Sequence, residues 1–302
     1  MKKLTQLGAK TYCIEGSTNI GIYLLNDVDV CLIDSGPNES FAREILDIIN
    51  SNGWNISAVM CTHSHADHIG GNGFLQRKTG CKIYASPLEL PLAAHSLIES
   101  AVFFGAYPNE LLRSDFFMAQ PSSIELFGSE GCPEELEIIP LGGHFLDMVG
   151  IRTPDGVLFL ADSLAGEKAL DEFHITFMFD VKSCLETIEF LSTRQDRWFV
   201  PSHSPAMRDI GALCQKNALM IHEIKSNILS LLVSPLCLDD LLEMLFTRYS
   251  TPVNLIQYTL VSSTVRSFLS YLSDLGLVAP IAEGKKLKWV LTQSNTHRQK
   301  QN

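Results

Sequence analysis

The pattern His-x-His-x-Asp-His at residues 63–68 constrains this chain more than any other feature of its sequence. Imidazole and carboxylate groups are ligands of divalent metals, and three histidines and an acid have little other reason to share one loop. In an extended loop, side chains at alternate positions lie on one side. His63 and His65 are therefore predicted to bind one ion, while Asp67 and His68 reach a second. The motif predicts a centre with two metal ions.

The pattern around the motif predicts a mixed α/β fold. Gly21 to Leu25 and Val28 to Ile33 are predicted to form a β-hairpin that ends at Asp34. Phe41 to Ile49 has the apolar spacing of a helix, and Ile56 to Cys61 predicts a buried strand that leads directly into the motif. A motif placed directly after a strand is well positioned for chemistry.

Three further candidate ligands lie later in the chain. His144 follows a Gly-Gly pair, Asp162 follows the predicted strand Val157 to Leu160, and His203 follows the predicted strand Trp198 to Val200. Taken singly, such residues are more often structural. Beside the first motif, their positions after turns and strands favour metal binding.

The order and setting of these seven residues resemble the metallo-β-lactamase superfamily, over roughly residues 10 to 230. The resemblance implies an α/β fold, a four-layer αβ/βα sandwich with the site at one edge of two facing sheets. It implies that Asp34 orients ligands rather than binding metal. It assigns the ligands as follows: His63, His65 and His144 to the first ion, Asp67, His68 and His203 to the second, and Asp162 to both.

This arrangement implies hydrolysis by a metal-bridging hydroxide, with Asp67 and Asp162 as the catalytic carboxylates. Two divalent ions, two carboxylates and one hydroxide leave a net charge of about +1, which favours an anionic transition state. Five imidazoles and two carboxylates suit zinc, although iron and manganese accept the same atoms. The superfamily's diiron branch has Glu where this chain has His65, which also favours zinc.

The substrate is predicted to be a small thioester, ester or lactone with an apolar portion. Thr62 to Gly71 resembles the glyoxalase II version of the motif, which implies thioester hydrolysis. No basic cluster follows residue 210 to bind the carboxylates of glutathione, so the acyl compound stays open. A non-catalytic binding module is the least favoured alternative, because none of the seven ligands is missing.

Residues 234–292 are predicted to form a second, winged-helix-like α+β domain. Its predicted helices are Leu236 to Phe246, Asn254 to Leu260 and Ser263 to Leu275, followed by a hairpin. Residues 293–302 are predicted to be a disordered tail. The domain is predicted to pack on the catalytic domain or to mediate dimerisation, and five leucines are predicted to form its own core: Leu241, Leu242, Leu245, Leu269 and Leu272.

This domain raises the alternative of a phosphodiesterase or nuclease that holds nucleic acid. Arg266 is the only basic residue of its last helix, and three lysines lie in the wing, at 285, 286 and 288. The net charge of −11 argues against a general nucleic-acid binder, because the surface as a whole repels phosphate.

Residues 86–135 interrupt the α/β pattern with an aromatic-rich insertion. Its aromatic residues are predicted either to pack onto the body of the protein or to form a lid, a wall of the substrate pocket, or the surface of a homodimer. Phe104 and Tyr107 of the insertion, together with His174, are the candidate pocket residues.

Composition bounds the remaining possibilities. The 302 residues allow about two domains, predicted at 1–230 and 234–292. With 46% hydrophobic and 19% charged residues, the chain can bury sizeable cores, which excludes a disordered protein. It has no run of 18 apolar residues and no signal-peptide core, so we expect a cytoplasmic protein without a membrane segment. The eight scattered cysteines are expected to be reduced thiols.

Overall fold

The computed structural model describes residues 2–292, and the tail predicted at 293–302 lies outside them. Two β-sheets form the body of the protein. The first contains, side by side in this order, β1 (Leu4–Gln6), β2 (Thr11–Ile14), β3 (Ile20–Leu24), β4 (Asp29–Ile33), β5 (Asn55–Met60), β6 (Lys82–Ala85) and β7 (Glu125–Leu126). The second contains, also in this order, β8 (Glu137–Pro140), β9 (Val149–Arg152), β10 (Val157–Ala161) and β11 (Trp198–Pro201).

Helices occupy most of the remaining chain. The described residues form α1 (Glu39–Ser51), α2 (Ala66–Ile69), α3 (Asn72–Thr79), α4 (Glu89–Ala94), α5 (Leu97–Phe104), α6 (Glu167–Phe173), α7 (Val181–Ser192), α8 (Gly211–Leu231), α9 (Leu238–Arg248) and α10 (Leu255–Asp274). A 3₁₀ turn lies at Glu110–Arg113, and β12 (Val278–Glu283) pairs with β13 (Lys286–Leu291) in a separate hairpin.

Strand direction decides where the functional residues meet. The predicted hairpin at residues 21–33 is confirmed as β3 and β4, which pair antiparallel. Strands β4, β5 and β6 run parallel, so Asp34 and the motif at 63–68 leave the same edge of the sheet. In the second sheet, β10 and β11 also run parallel, which brings Asp162 and His203 to one edge.

The two sheets pack face to face, and helices cover their outer faces. Met60 of β5 and Phe159 of β10 belong to one buried cluster between the sheets. The helix predicted at 41–49 is confirmed as α1. The Asn38 side chain caps it by accepting a hydrogen bond from the Phe41 amide, and its apolar face covers the first sheet. Alternate residues of β10, such as Leu158, face the helices on the opposite side of the second sheet.

The C-terminal part differs from its prediction in two respects. The helices predicted at 254–260 and 263–275 are one continuous helix, α10, because its sequence has neither proline nor glycine to interrupt it. The five leucines predicted as a separate core pack instead in one cluster with Leu160 and Phe199 of the second sheet. The domain boundary near residue 234 stays a prediction.

The insertion at 86–135 contributes α4, α5 and the 3₁₀ turn. Phe103 and Phe117 from this segment pack in one cluster with Phe145, and the start of α10 packs against that cluster through Ile256 and Leu260. All eight cysteines are free thiols. None of the helices within residues 2–292 is long and apolar enough to cross a membrane.

Candidate metal centre

Asp34 fixes the loop that follows β5. Its backbone is left-handed, with φ of 63°, a conformation that Asp tolerates better than most residues. Its buried carboxylate accepts hydrogen bonds from the amide and the hydroxyl of Thr62, both at 2.8 Å, and lies 2.8 Å from His68 Nδ1. The carboxylate thereby sets the orientation of the His68 ring, as expected for a residue that supports a ligand.

The motif at residues 63–68 is extended only in its first half. The expectation of an extended loop throughout is wrong, because Ala66 begins the short helix α2. The carbonyl of His65 accepts the amide of His68 at 2.9 Å. Successive residues of a helix point about 100° apart. The side chains of Asp67 and His68, in α2, therefore point away from the side of the segment on which His63 and His65 lie.

Two backbone features position the ligands of the second sheet. Gly143, which precedes His144, has φ of 121°, and a side chain there would lie 2.3 Å from the backbone nitrogen of Cys184 at the start of α7. Ala161, which precedes Asp162, has φ of 51° and follows a shift in the register between β10 and β11. This irregular strand end turns Asp162 towards the cluster.

The structure brings all seven predicted ligands together in two groups. Within each group, one ligand atom of every residue lies within 4.8 Å of the others. Asp162 connects the groups, since its Oδ1 lies 3.3 Å from His68 Nε2 and its Oδ2 lies 3.2 Å from His203 Nε2. Their roles as ligands stay a prediction. The groups are His63, His65, His144 and Asp162, and Asp67, His68 and His203.

Buried atoms without partners show that this donor set fits metal ions. Nε2 of His63 is buried and has no hydrogen-bond partner, and His68 Nε2 faces Asp162 Oδ1 without hydrogen-bond geometry. Buried polar atoms are nearly always paired in folded proteins, so these atoms call for a partner that the chain itself does not supply. Divalent ions that bind imidazole and carboxylate would supply it.

The two groups differ in their affinity for protons. Burial lowers the pKa of His63 and His65 well below the usual value, and it also lowers that of His144. These rings are neutral and keep lone pairs for a metal. Burial also acts on His68, but Asp162, Asp67 and Asp34 raise its pKa well above the usual value. Asp162 raises the pKa of His203 to about 11.

Two buried carboxylates of the insertion lie beside the centre, and the sequence predicted neither. Glu89 accepts the amides of Ser64 and Asp147, each at 2.9 Å, and so ties the loop of His63 and His65 to the loop of His144. Glu99 is 2% exposed, and its Oε1 lies 3.9 Å from His65 Nε2. The available signal was the acidic residue itself, since Glu99 is the one charged residue of α5.

A cavity of about 560 Å³ opens beside the ligands. His144, Asp162 and His203 form one of its walls, and no Lys or Arg is among the described residues that line it. Its volume is typical of small-molecule sites. Most of the remaining lining is apolar and includes Phe116, Phe177, Met220, Ile221, Ile256 and Leu260.

The three residues predicted for the substrate pocket lie elsewhere. Phe104 and Tyr107 are 38% and 69% exposed and do not line this cavity; on the same helix as Phe104, it is Phe103 that points inwards, 5.4 Å from the His65 ring. His174 ends α6 and stacks on Tyr249, where it lines a different cavity. Neighbouring residues of a helix point about 100° apart. The sequence alone did not show which of residues 103 and 104 faces the centre.

The sequence pattern of the metallo-β-lactamase superfamily matches residues 15–203. This chain belongs to that superfamily. Its fold is also that of a beta-lactamase domain protein from Burkholderia ambifaria, with a TM-score of 0.71 at 15% identity over 96% of this chain and 94% of the other. So little of the chain falls outside this match that the shared fold includes most of the C-terminal part.

Two curated relatives are similar over shorter stretches. A hydroxyacylglutathione hydrolase of Cereibacter sphaeroides is 27% identical over 124 residues, which is 41% of this chain and 40% of that protein. The exodeoxyribonuclease WalJ of Streptococcus pneumoniae is 32% identical over 84 residues, which is 28% of this chain and 31% of that protein. The chain thus spans less than half the length of either relative.

Proposed function

We propose that this superfamily member is a dinuclear metal-dependent hydrolase that cleaves a thioester, ester or lactone with an apolar portion. The observation that carries the proposal is the cavity, because His144, Asp162 and His203 form one wall of an otherwise largely apolar space. An acyl compound whose apolar portion fills that space would present its carbonyl group at the ligands. The similarity to a hydroxyacylglutathione hydrolase supports this class of substrate.

Seven side chains would hold the ions, in the two groups described above. Zn²⁺ suits this set of imidazoles and carboxylates, and Fe or Mn would accept the same atoms. Bound ions would supply Lewis-acid polarisation of the substrate carbonyl and activation of water at neutral pH. The protein positions the donors: Asp34 orients His68, the Ser17 carbonyl lies 2.6 Å from His203 Nδ1, and Glu89 joins the two loops of the first group.

Asp67 is the residue we assign to orient the attacking water. Burial raises the pKa of its carboxyl, but His68 and His203 outweigh burial and hold it below the usual value, so the group is ionised at neutral pH. Its Oδ2 accepts a hydrogen bond from the Thr18 hydroxyl at 3.4 Å and lies 3.3 Å from His203 Nε2. The same oxygen is placed to accept a hydrogen bond from water.

The test compares two substrates on metal-reconstituted protein, an acyl thioester and an aryl phosphodiester. We expect cleavage of the thioester, and no cleavage by Asp162→Ala, which lacks the residue shared by the two groups. Absence of turnover of any thioester, ester or lactone by protein with two bound ions would refute the proposal and favour a binding module.

The nuclease alternative rests on the similarity to WalJ. The cavity provides no Lys or Arg among its described lining residues to pair with phosphates, and in the wing Lys288 forms an ion pair with Glu283 at 2.8 Å. Cleavage of the phosphodiester alone, reduced in a Lys286→Ala, Lys288→Ala double variant, would replace the hydrolase proposal with the nuclease.

A further inference from the structure

We propose, on the basis of the hydrolase function above, that the cavity binds a medium-length alkyl chain of the substrate, and that the first turns of α10 set the length it accepts. The C-terminal part of the protein is then a specificity element of the active site.

The start of α10 forms the wall of the cavity made by the C-terminal part. Ile256, Gln257 and Leu260 line the cavity. They lie at positions i, i+1 and i+4, and so on one side of the helix. Ile256 and Leu260 also pack against the cluster that contains Phe103 and Phe117 of the insertion. This packing holds the wall in place from outside.

Hydrogen bonds tie α10 to a second wall of the cavity, the loop at residues 175–180. The Thr264 hydroxyl accepts the amide of Met178 at 3.2 Å and donates to the carbonyl of Thr176 at 3.3 Å. One turn further on, the hydroxyl of Ser267 donates to the carbonyl of Phe179 at 2.9 Å. The loop and the helix therefore form one unit around the cavity.

The chemistry of the lining selects an apolar, uncharged chain. Asn217, one of the polar lining residues, already uses its side chain on the backbone of Ala165, at 2.9 Å in both directions. With no Lys or Arg in the described lining, an anionic tail would lack a partner. At roughly 30 Å³ for each methylene-sized group, an eight-carbon chain occupies less than half of the 560 Å³.

The experiment measures kcat/KM for straight-chain acyl thioesters from four to fourteen carbons. We expect an increase of about threefold to fourfold for each added methylene until the chain reaches α10. Leu260→Trp should move the optimum to shorter chains, and Ile256→Ala should move it to longer ones. Leu287→Trp is the matched control, because Leu287 is 62% exposed in the C-terminal hairpin, and its optimum should equal that of the wild type.

A second measurement separates this inference from the proposed function. Calorimetric titration of the metal-free protein with 1-octanol and with 1-butanol uses probes that present no acyl group. One outcome is that the protein binds octanol more tightly than butanol, loses this preference in Leu260→Trp, and fails to cleave thioesters. That result would support the alkyl-binding pocket and refute the hydrolase function. Cleavage with the same kcat/KM at every chain length, or the same optimal chain length in all variants, would overturn the inference that this pocket binds an alkyl chain.

We further infer that Glu99 is a positioning residue for His65. His65 Nδ1 lies 3.1 Å from His144 Nε2 within the first group, which leaves Nε2 on the opposite side of the ring, where Glu99 Oε1 is 3.9 Å away. That Nε2 is buried and has no hydrogen-bond partner, and the 3.9 Å approach to this neutral ring is the polar contact that the structure gives to the Glu99 carboxylate. Histidines that bind metals commonly donate their second nitrogen to a carboxylate, directly or through water.

The test is the affinity for Zn²⁺, measured by competition with a chromophoric chelator, which requires no substrate. We expect Glu99→Ala to weaken binding about tenfold to a hundredfold and Glu99→Gln, which keeps an acceptor, to weaken it less. Glu110→Gln, at an exposed position of the same insertion, is the control. A lower unfolding midpoint of the metal-free Glu99→Ala protein with unchanged affinity would show a purely structural role and overturn the inference.

Discussion

The candidate metal centre has two halves, one from each sheet, and they are built in opposite ways. The first sheet supplies four candidate ligands from one segment, residues 63–68, which follows a single strand. The second sheet supplies His144, Asp162 and His203 from three separate loops of the chain. His63 and His68 in the first half are fully buried, whereas the side chain of His203 in the second half is 37% exposed.

This difference shows which long-range contacts each half needs. Hydrogen bonds to the side chains of Asp34, at the end of β4, and of Glu89, in α4, fix the first half. The second half depends on helix packing, because the turn before His144 fits against the start of α7, and α7 packs in one cluster with α8, α9 and α10. We therefore expect the second half to be the more sensitive to changes in the C-terminal part. Four predictions test this comparison.

The largest effect is expected from removing one ligand of each half. His65→Ala and Asp162→Ala should each lower kcat/KM more than about a hundredfold, the upper end of losses for residues that only support ligands. Elemental analysis should separate the two variants. His65→Ala weakens one group, whereas Asp162→Ala weakens both and should retain less metal. Equal metal content in the two variants would contradict the bridging position of Asp162.

The next largest effect concerns the packing on which the second half depends. Phe268 of α10 is fully buried, and Phe268→Ala should lower the free energy of unfolding by about 3–5 kcal/mol in a urea titration. Phe190→Ala is the control, because Phe190 is 40% exposed, and we expect a change within about 0.5 kcal/mol. Because the cluster is continuous, the variant should unfold in one transition. A separate early transition of the C-terminal part would instead support an independent domain.

A smaller effect is expected at the residue that anchors the first half. Asp34→Asn keeps a side chain that tolerates the left-handed backbone but removes the charge beside His68, so metal affinity should fall about tenfold to a hundredfold. Asp34→Ala should lose the same affinity. It should also lower the free energy of unfolding by about 1–2 kcal/mol, because Ala tolerates the left-handed backbone less well. Chelator competition and thermal unfolding measure the two quantities. Full affinity in Asp34→Asn would show that orientation of His68 does not need the carboxylate.

An effect of similar size is expected as a pH dependence at Asp196, just before β11 of the second sheet. Burial raises the pKa of Asp196, but Arg194 and Arg152 outweigh it and hold the pKa below the usual value. Its contribution to stability is therefore present above the unfolded pKa of about 3.9 and is lost as the pH falls through the lower folded pKa. Asp196→Asn should lower the free energy of unfolding by about 1–3 kcal/mol at pH 7. It should also flatten the acid limb of the curve of stability against pH.

Asp171→Asn provides the matched control for that curve. Asp171 also pairs with a cation, Lys216 at 2.9 Å, but its side chain is 70% exposed, so its replacement should change stability by less than about 1 kcal/mol. An acid limb of unchanged slope in Asp196→Asn would show that the paired arginines do not govern this region.

The sequence predicted the strands that end at the site, because alternating and continuous apolar runs are local patterns. Strands at 28–33, 56–61, 157–160 and 198–200 are confirmed within one or two residues at their ends. The C-terminal helices show the limit of local patterns. Apolar spacing indicated helix on both sides of residue 261, but did not reveal that one helix continues through it and packs on the second sheet.

The sequence by itself predicted the candidate donors and determined the superfamily, since the motif at residues 63–68 fixes its own chemistry and its place after a strand. Only the tertiary structure decided what surrounds the donors. It brought Glu99 to His65, chose Phe103 rather than Phe104 to face the centre, and placed Leu260 of α10 in the wall of the cavity. These contacts join segments distant in the chain, and their partners are selected by the packing of whole helices, which a local pattern does not encode.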